Sequence, residues 1–239
     1  MKSSKLDLVV IGGGSGGVRA ARMAAMYGKK VALIESKDLG GTCVNLGCIP
    51  KKLFSYAAHC KENFEESVGF GWKHENLNFS WTELIQNKNK EIARLNEIYQ
   101  KLLENSGVSI IREKASFVNR NTIKAGSINL TSENILIATG GTPVKPNFLS
   151  DERIITSDEA FHLKKLPSTI SLVGGGYIAL EFASIFNGLG CTTNLLYRGP
   201  LFLRGFDSEC REFLANQMKD KGINLIFNCE DIVFCKSLS

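Results

Sequence analysis

Leu8-Val9-Val10-Ile11-Gly12-Gly13-Gly14-Ser15-Gly16-Gly17 is the stretch on which the fold of this chain turns. Four apolar residues run directly into a glycine cluster. An Ala- and Arg-rich segment follows to about Tyr27, Gly28 stops it, and Val31-Ala32-Leu33-Ile34-Glu35 comes next. A short apolar run bounded by glycine suits a buried parallel strand, so the order reads as strand, tight turn, helix, strand. Gly12, Gly14 and Gly17 give the spacing G-x-G-x-x-G. In that setting the first glycine permits the turn, and the second lets backbone approach a pyrophosphate. The third packs helix on strand, and the helix N-terminus meets the phosphate charge. Glu35 closes the next strand, where an acid accepts hydrogen bonds from ribose hydroxyls. The competing reading is a tight turn with a surface Glu, and the strand–helix setting favours the dinucleotide site.

The same plan recurs later. Thr169-Ile170-Ser171-Leu172-Val173 leads into Gly174-Gly175-Gly176, a helix from about Tyr177 to Leu189 closed by Gly190, and a strand Thr193-Asn194-Leu195-Leu196-Tyr197. Gly174, Gly176 and Ala179 give G-x-G-x-x-A. Here the strand is closed by Arg198, not by an acid, which favours a phosphate on the ribose and hence NADP over NAD. Arg204 stands six residues on, within reach of the same phosphate. A pair of solvated loop arginines is the alternative. Two such units far apart predict an α/β chain with two nucleotide-binding domains.

Between them Pro50 opens a helix to about Asn63, at a position where a missing N–H costs nothing. Ser80-Trp81-Thr82-Glu83 forms a capping box before a long amphipathic helix ending near Asn105-Ser106-Gly107, with Leu84, Ile85, Ile92, Leu95, Tyr99 and Leu102 on one side. Short alternating strands fill Val108 to Ile137, with a turn at Ala125-Gly126-Ser127. Pro143, Pro146 and Pro167 punctuate a connector, which places a domain boundary near residue 150. A helix from Ser208 to about Lys221 and a strand Asn224 to Phe227 come last.

The 239 residues carry 44% hydrophobic and 22% charged side chains, an ordinary balance for a globular protein. No apolar stretch approaches the ~20 residues of a membrane helix, and the run before Gly12 is too short for a signal-peptide core. The cytoplasm is the expected compartment, with no membrane partner. The net charge of +5 forms no basic stripe with interleaved aromatics, which argues against a nucleic-acid partner.

The seven cysteines (Cys43, Cys48, Cys60, Cys191, Cys210, Cys229, Cys235) are an odd number in a chain without an export signal, so a secreted disulfide framework is not expected. There is no C-x-x-C, and His59, His74 and His162 form no zinc-like pattern, so no metal site is expected. Five of the cysteines read as buried small hydrophobes. Cys43 and Cys48 stand apart within Gly40-Gly41-Thr42-Cys43-Val44-Asn45-Leu46-Gly47-Cys48-Ile49-Pro50-Lys51-Lys52. The thiolate is the reacting species, and a helix N-terminus and neighbouring lysines both stabilise that anion. Two redox-active thiols are the expectation here, against two incidental buried ones.

GGTCVNLGCIPKK, preceded by GGGSGG and followed by ATGG at Ala138–Gly141, resembles the pyridine nucleotide–disulfide oxidoreductases, and among them the bacterial glutathione reductase type. LFSYAAH after the cysteines, GFGW at Gly69–Trp72, GGGYIALEFASIFNGLG and YRGPLFLRGFD carry the likeness along the chain. The resemblance implies a Rossmann-like FAD-binding domain over residues 1–150, with an incomplete Rossmann-like NADP-binding domain over 151–239. It places FAD along Gly12, Gly14, Ser15, Gly16, Gly17, Glu35, Thr42 and Ala138-Thr139-Gly140. It places NADPH on Gly174 and Gly176, with Arg198 and Arg204 on its phosphate. Hydride then passes from nicotinamide to flavin, and electrons pass to a Cys43–Cys48 disulfide. By the same resemblance Cys48 is the flavin-proximal thiolate and Cys43 the exchange thiol that attacks glutathione disulfide. Lys51 and Glu181 match an ion pair near the reactive flavin nitrogen, and Tyr177 matches the residue gating the nicotinamide site. Ser15, Arg22 and Tyr99 match positions of the glutathione pocket. Lys51 as a solvated lysine and Tyr99 as a core residue are the plainer readings of those two.

Family members continue further, through a segment with a Gly-Asp motif to a dimerisation domain that supplies a His–Glu acid–base pair from the partner subunit. Nothing here matches those parts. The expectation is a chain whose machinery is incomplete, with little turnover alone and exposed apolar surface around the Gly174 sheet. A relative of dihydrolipoamide dehydrogenase or mercuric reductase is the runner-up, as is an inactive FAD-binding fragment.

Overall fold

The computed structural model describes residues 6–73, 77–145 and 153–229. His74, Pro146, Cys235 and the boundary expected near residue 150 lie outside the described residues. The chain divides into two compact units, one of Met1–Pro50 with Ile85–His162 and one of Lys51–Leu84 with Leu163–Ser239.

In the first unit, strands β1 (Leu8–Ile11) and β2 (Val31–Ile34) are joined by helix α1 (Ser15–Met26), as the glycine pattern predicts. Helix α2 (Gly41–Asn45) is a single turn, and after Leu46-Gly47 comes α3 (Cys48–Ser67), which passes into the second unit at Lys51. The start of α3 precedes the expected Pro50 by two residues. Its third position tolerates proline equally, because the first four helical N–H groups have no partner within the helix. Helix α4 (Trp81–Asn105) is followed by β3 (Ser109–Ile111), β4 (Ala115–Asn119), β5 (Thr122–Ala125), β6 (Ile128–Thr131) and β7 (Ile135–Ile137). The strands expected between Val108 and Ile137 do not stay together. β3 and β7 join the parallel sheet in the order β3-β2-β1-β7, and β4, β5 and β6 form a separate antiparallel sheet. Alternation alone does not say which strand a strand pairs with.

Because successive strand residues point to opposite faces, β1 is buried on both. Val10 packs with Val18 and Ala21 of α1 and Leu103 of α4, with Tyr99 partly buried against them. Val9 packs with Ile34 and with Ile123 and Ala125 of β5. The apolar side of α4 passes through Lys88, which is 1% exposed and donates to the Phe161 carbonyl at 2.8 Å. Burial pushes its pKa below the usual lysine range. The polar letter hides this core position from a hydrophobicity reading. At the start of α4, Glu83 N–H donates to Ser80 Oγ at 3.3 Å, one arm of the expected capping box.

Helix α5 (Ser157–Ala160), capped by Thr156, closes the first unit, and the second resumes at Leu163. Strand β8 (Thr169–Val173), helix α6 (Tyr177–Gly188), strand β9 (Thr192–Leu196), helix α7 (Ser208–Asp220) and strand β10 (Asn224–Ile226) then form a parallel sheet in the order β10-β9-β8. Leu180, Ala183, Leu195, Phe202, Ala215 and Met218 make its core. Phe54, Trp81, Phe182 and Phe186 form an aromatic cluster, and Trp81 Nε1 donates to the Leu163 carbonyl at 2.8 Å. Val173 and Ile226 of this sheet are exposed. Among the described residues no helix is long and apolar enough to cross a membrane.

The turn between β1 and α1 has no room for added atoms at one glycine and ample room at its neighbour. A Cβ at Gly17 would stand 1.8 Å from the Gly12 carbonyl oxygen, whereas one at Gly16 meets nothing within 4 Å. Gly17→Ala is therefore expected to destabilise by about 3 kcal/mol or more, the upper range for overpacking. Gly16→Ala is expected to be neutral or to stabilise by up to about 1 kcal/mol. Chemical denaturation of the two variants checks this, and equal effects would contradict the packing described.

Candidate active site

The first glycine loop is built from backbone contacts. Gly12 has φ +108, and a Cβ there would lie 2.2 Å from the Ala138 carbonyl oxygen. The strand end is tied by Gly12 N–H to Ile34 O and by Ala138 N–H to Ile11 O, both 2.8 Å. Ala138-Thr139-Gly140 thus lies beside the fingerprint, although 126 residues separate Gly12 from Ala138. The cysteine loop arrives from another side. Gly40 N–H donates to Gly13 O at 2.8 Å, and Gly14 and Gly40 form a parallel bridge. A Cβ at Gly41 would meet Gly14 Cα at 2.6 Å. Glu35 accepts from Gly13 N–H at 2.6 Å on one oxygen and from Lys37 N–H at 2.7 Å on the other. Each carboxylate oxygen keeps a further lone pair, so the acid is fixed in place and still able to accept from a ribose. Gly12, Gly14, Gly17, Glu35, Ala138 and the short helix bearing Thr42 are therefore gathered in one place, with Ser15 and Gly16 exposed at the start of α1.

The helix ends at the two fingerprints suit an anion. α1 and α6 are entered through Gly14 and Gly176, neither has a side-chain cap, and neither has an acidic residue in its first turn. By contrast α5 and α7 are capped by Thr156 and Asp207, with acids in their first turns. Uncapped N–H groups and the positive end of the helix dipole are what a pyrophosphate needs.

Cys43 lies in α2 and Cys48 begins α3, both as free thiols in this structure. Burial and a hydrogen bond from side chain to side chain with Cys48 raise the Cys43 pKa to about 11, against a lowering contribution from the Cys48 backbone N–H. The helix start does favour the anion here, as the sequence suggests, but burial and the neighbouring sulfur outweigh it. Of the five cysteines expected to be buried, Cys191 is, Cys229 is partly, and Cys60 and Cys210 are exposed on α3 and α7. Helix position decided that, and a cysteine letter does not report it.

In the second unit Lys51 Nζ meets Glu181 Oε1 at 2.8 Å, with the side chains 32% and 38% exposed. A pair that open contributes about 0–1 kcal/mol, so its worth lies in holding two charges in place. It borders a cavity of about 440 Å³ lined by Ser55, His59, Gln217 and Lys221 among others. Tyr177 is exposed at the first residue of α6. Arg198 and Arg204 are exposed on the loop after β9. That loop is pinned by Leu203 N–H to Gly175 O at 2.7 Å, with Leu203 in the left-handed region at φ 53. Arg211, which sequence reading missed, donates to the carbonyls of Phe202 and Leu201 at 2.7 Å each. These bonds hold a residue conformation that costs about 1–3 kcal/mol. Arg22, Ser15 and Tyr99 have separate surroundings: Arg22 donates to Ser106 at 3.5 Å, Ser15 is exposed, and Tyr99 is half-buried against the core. Sequence reading also missed Asn45 and Asn96, which bond to each other at 3.0 Å and to the Leu39 carbonyl. No sequence signal flags Asn96, an ordinary polar residue on an amphipathic helix.

Residues 6–231 match the family profile described as pyridine nucleotide-disulphide oxidoreductase. The chain is 48% identical over 225 residues to glutathione reductase of Burkholderia cepacia, an alignment covering 94% of this chain and 50% of the relative. It is 43% identical over 220 residues to glutathione reductase of a Nostoc species, covering 92% and 48%. A chloroplastic/mitochondrial glutathione reductase of Pisum sativum is 44% identical over 212 residues, covering 84% and 38%. Among solved structures, the Cu(II) complex of the HOCl-induced flavoprotein disulfide reductase RclA of Escherichia coli superposes with a TM-score of 0.81 at 29% identity, covering 93% of this chain and 49% of that one. The chain spans about half the length of these relatives or less.

The Cys43 thiol carries a sign that can be tested. Its pKa lies above the ordinary 9.0, so the folded state holds the proton more tightly than the unfolded state. That contribution to stability is complete below pH 9 and is lost as pH rises from 9 to about 11. Iodoacetamide labelling of Cys43 against pH is expected to show a midpoint near 11, and Cys48→Ser is expected to lower it. An ordinary midpoint in the parent chain would contradict the geometry.

Proposed function

We propose a function from one premise: this chain belongs to the pyridine nucleotide-disulphide oxidoreductase family. It is the FAD-binding and NADP-binding front part of a flavoprotein disulfide reductase, with glutathione disulfide as substrate. Residues 1–150 form the FAD-binding domain with the redox pair, and residues 151–239 belong to the NADP-binding domain. The full assembly is a cytoplasmic homodimer. The observation that carries the reading is the seating of the Cys43 loop against the first glycine fingerprint, through Gly40 on Gly13 and Gly41 on Gly14.

When bound, NADPH and FAD would supply the hydride and two-electron chemistry that reduces a disulfide. The chain's own residues do the rest. The α1 N-terminus would hold the pyrophosphate of FAD and Glu35 its ribose hydroxyls, with Thr42 and Ala138-Thr139-Gly140 beside it. Gly174, Gly176 and the α6 N-terminus would hold NADPH, Arg198 and Arg204 would hold its ribose phosphate, and Tyr177 is the residue the resemblance assigns to gating the nicotinamide. Lys51 and Glu181, 2.8 Å apart, would be the charge pair that the resemblance assigns to the flavin chemistry. The Cys43 thiolate attacks one sulfur of glutathione disulfide, releasing one glutathione and leaving a mixed disulfide. Cys48 then attacks the Cys43 sulfur, expels the second glutathione, and closes the Cys43–Cys48 disulfide. Two electrons leave the dithiol and its two protons end on two glutathione molecules. With the Cys43 pKa near 11, exchange at neutral pH needs a base, the part that the resemblance assigns to a His–Glu pair of the partner subunit. Ser15, Arg22 and Tyr99 are the residues that the resemblance assigns to glutathione.

The test uses the 239-residue chain loaded with FAD, with Cys43 and Cys48 first oxidised by excess glutathione disulfide. Anaerobic NADPH is expected to release two alkylatable thiols at positions 43 and 48 per NADPH consumed, and NADH far fewer in the same time. Replacing Arg198 and Arg204 with alanine is expected to remove at least tenfold of that preference, about 1.4 kcal/mol. A chain that binds FAD yet yields no thiols with either nucleotide would refute the reading, and an unchanged preference would refute the two arginine assignments.

A further inference from the structure

Helix α2 has five residues, carries Cys43, and is too short to persist as an isolated helix. Part of what holds it is a pair of side-chain amides. Asn45 Nδ2 donates to the Gly41 carbonyl at 2.9 Å, closing the turn on itself, and to the Leu39 carbonyl at 3.1 Å. Asn96, near the middle of α4, donates to the same Leu39 carbonyl at 2.7 Å and to Asn45 Oδ1 at 3.0 Å. Four hydrogen bonds thus join the segment before α2, the first turn of α2, its last residue and a long helix. Both amides are half-buried, and the segment they grip is the one whose glycines back onto the first fingerprint. No partner in this set is charged, and neither asparagine touches a sulfur in the bonds described.

We infer that Asn45 and Asn96 are positioning residues that set the thiol–disulfide equilibrium of Cys43 and Cys48. The inference rests on the reading of those cysteines as a redox pair. Disulfide closure needs a narrow sulfur separation and Cβ geometry, and its equilibrium constant follows how often the two thiols are held in register. A five-residue turn fixed at both ends by the amide clamp presents Cys43 to Cys48 continuously. Without the clamp the turn samples other conformations, the effective concentration of one thiol at the other falls, and the dithiol becomes the favoured form. The exchange is balanced: two glutathione molecules and the protein disulfide stand against one glutathione disulfide and the protein dithiol, with two electrons and two protons moved.

The experiment equilibrates the whole chain in glutathione buffers of graded oxidised-to-reduced ratio. Acid quenching, alkylation and mass measurement of the peptide bearing residues 43–48 then give the fraction closed. Asn96→Leu keeps the size and removes the donors, and it is expected to lower the equilibrium constant for closure about tenfold, which is about 30 mV for a two-electron pair. Asn45→Ala is expected to move it in the same direction and serves alone should Asn96→Leu fail to fold. The double variant is expected to fall no further than the worse single one, because the clamp acts as a unit. Ile123→Val, a core change in β5 that touches no part of the clamp, is the stability control and should leave the equilibrium within twofold. Overturning outcomes are an unchanged equilibrium in the clamp variants, fully additive shifts, or an equal shift in Ile123→Val. A parent chain that never closes the disulfide at any ratio would bring down the redox-pair reading itself, and this inference with it.

Discussion

Around the first glycine loop, several backbone segments approach one another more closely than any side chain allows. A methyl group at Gly17 would stand 1.8 Å from Gly12 O, one at Gly12 would stand 2.2 Å from Ala138 O, and one at Gly41 would stand 2.6 Å from Gly14 Cα. Van der Waals contact between heavy atoms begins near 3.5 Å, so each approach requires glycine. These contacts set the entry of α1 on β1, place β7's end beside the loop, and seat the cysteine segment on it. The rest of the first unit is arranged so that they can be made.

The electrostatics follow from that seating. A helix start with no capping side chain and no acid in its first turn leaves N–H groups unpaired, and such groups need either water or an anion. The pattern appears at both fingerprints and contrasts with the capped helices α5 and α7. Glu35 is oriented by two backbone N–H groups and held next to Gly13. The thiol pair shows the opposite balance. Partial burial and a neighbouring sulfur hold Cys43 protonated despite the Cys48 N–H at the head of α3. A thiol held in that form reacts slowly until it is deprotonated.

The long helix α4 illustrates how little of a core a hydropathy reading captures. Its apolar positions were legible from spacing, and Tyr99 does pack against α1. Lys88 lies on the same side and is buried, its ammonium spent on the Phe161 carbonyl. Asn96 is half-buried and holds the cysteine turn. Both are polar letters in polar-looking contexts, and their acceptors are main-chain carbonyls 73 and 57 residues away. Nothing local distinguishes them from solvated neighbours.

The amino-acid sequence by itself determined the two strand–glycine–helix–strand units, the acid after one and the arginines after the other, and the cysteine pair. Those signals are local: strand and helix periods, glycine where no Cβ fits, and residue types whose chemistry is the same in any context. Tertiary structure alone decided that β3 and β7 join the parallel sheet while β4 to β6 leave it, that Cys60 and Cys210 face solvent, and that Arg211 and Asn96 hold backbone carbonyls at Leu201, Phe202 and Leu39. Each of these depends on which distant backbone supplies the partner, and a partner chosen by packing leaves no mark on the residues nearby.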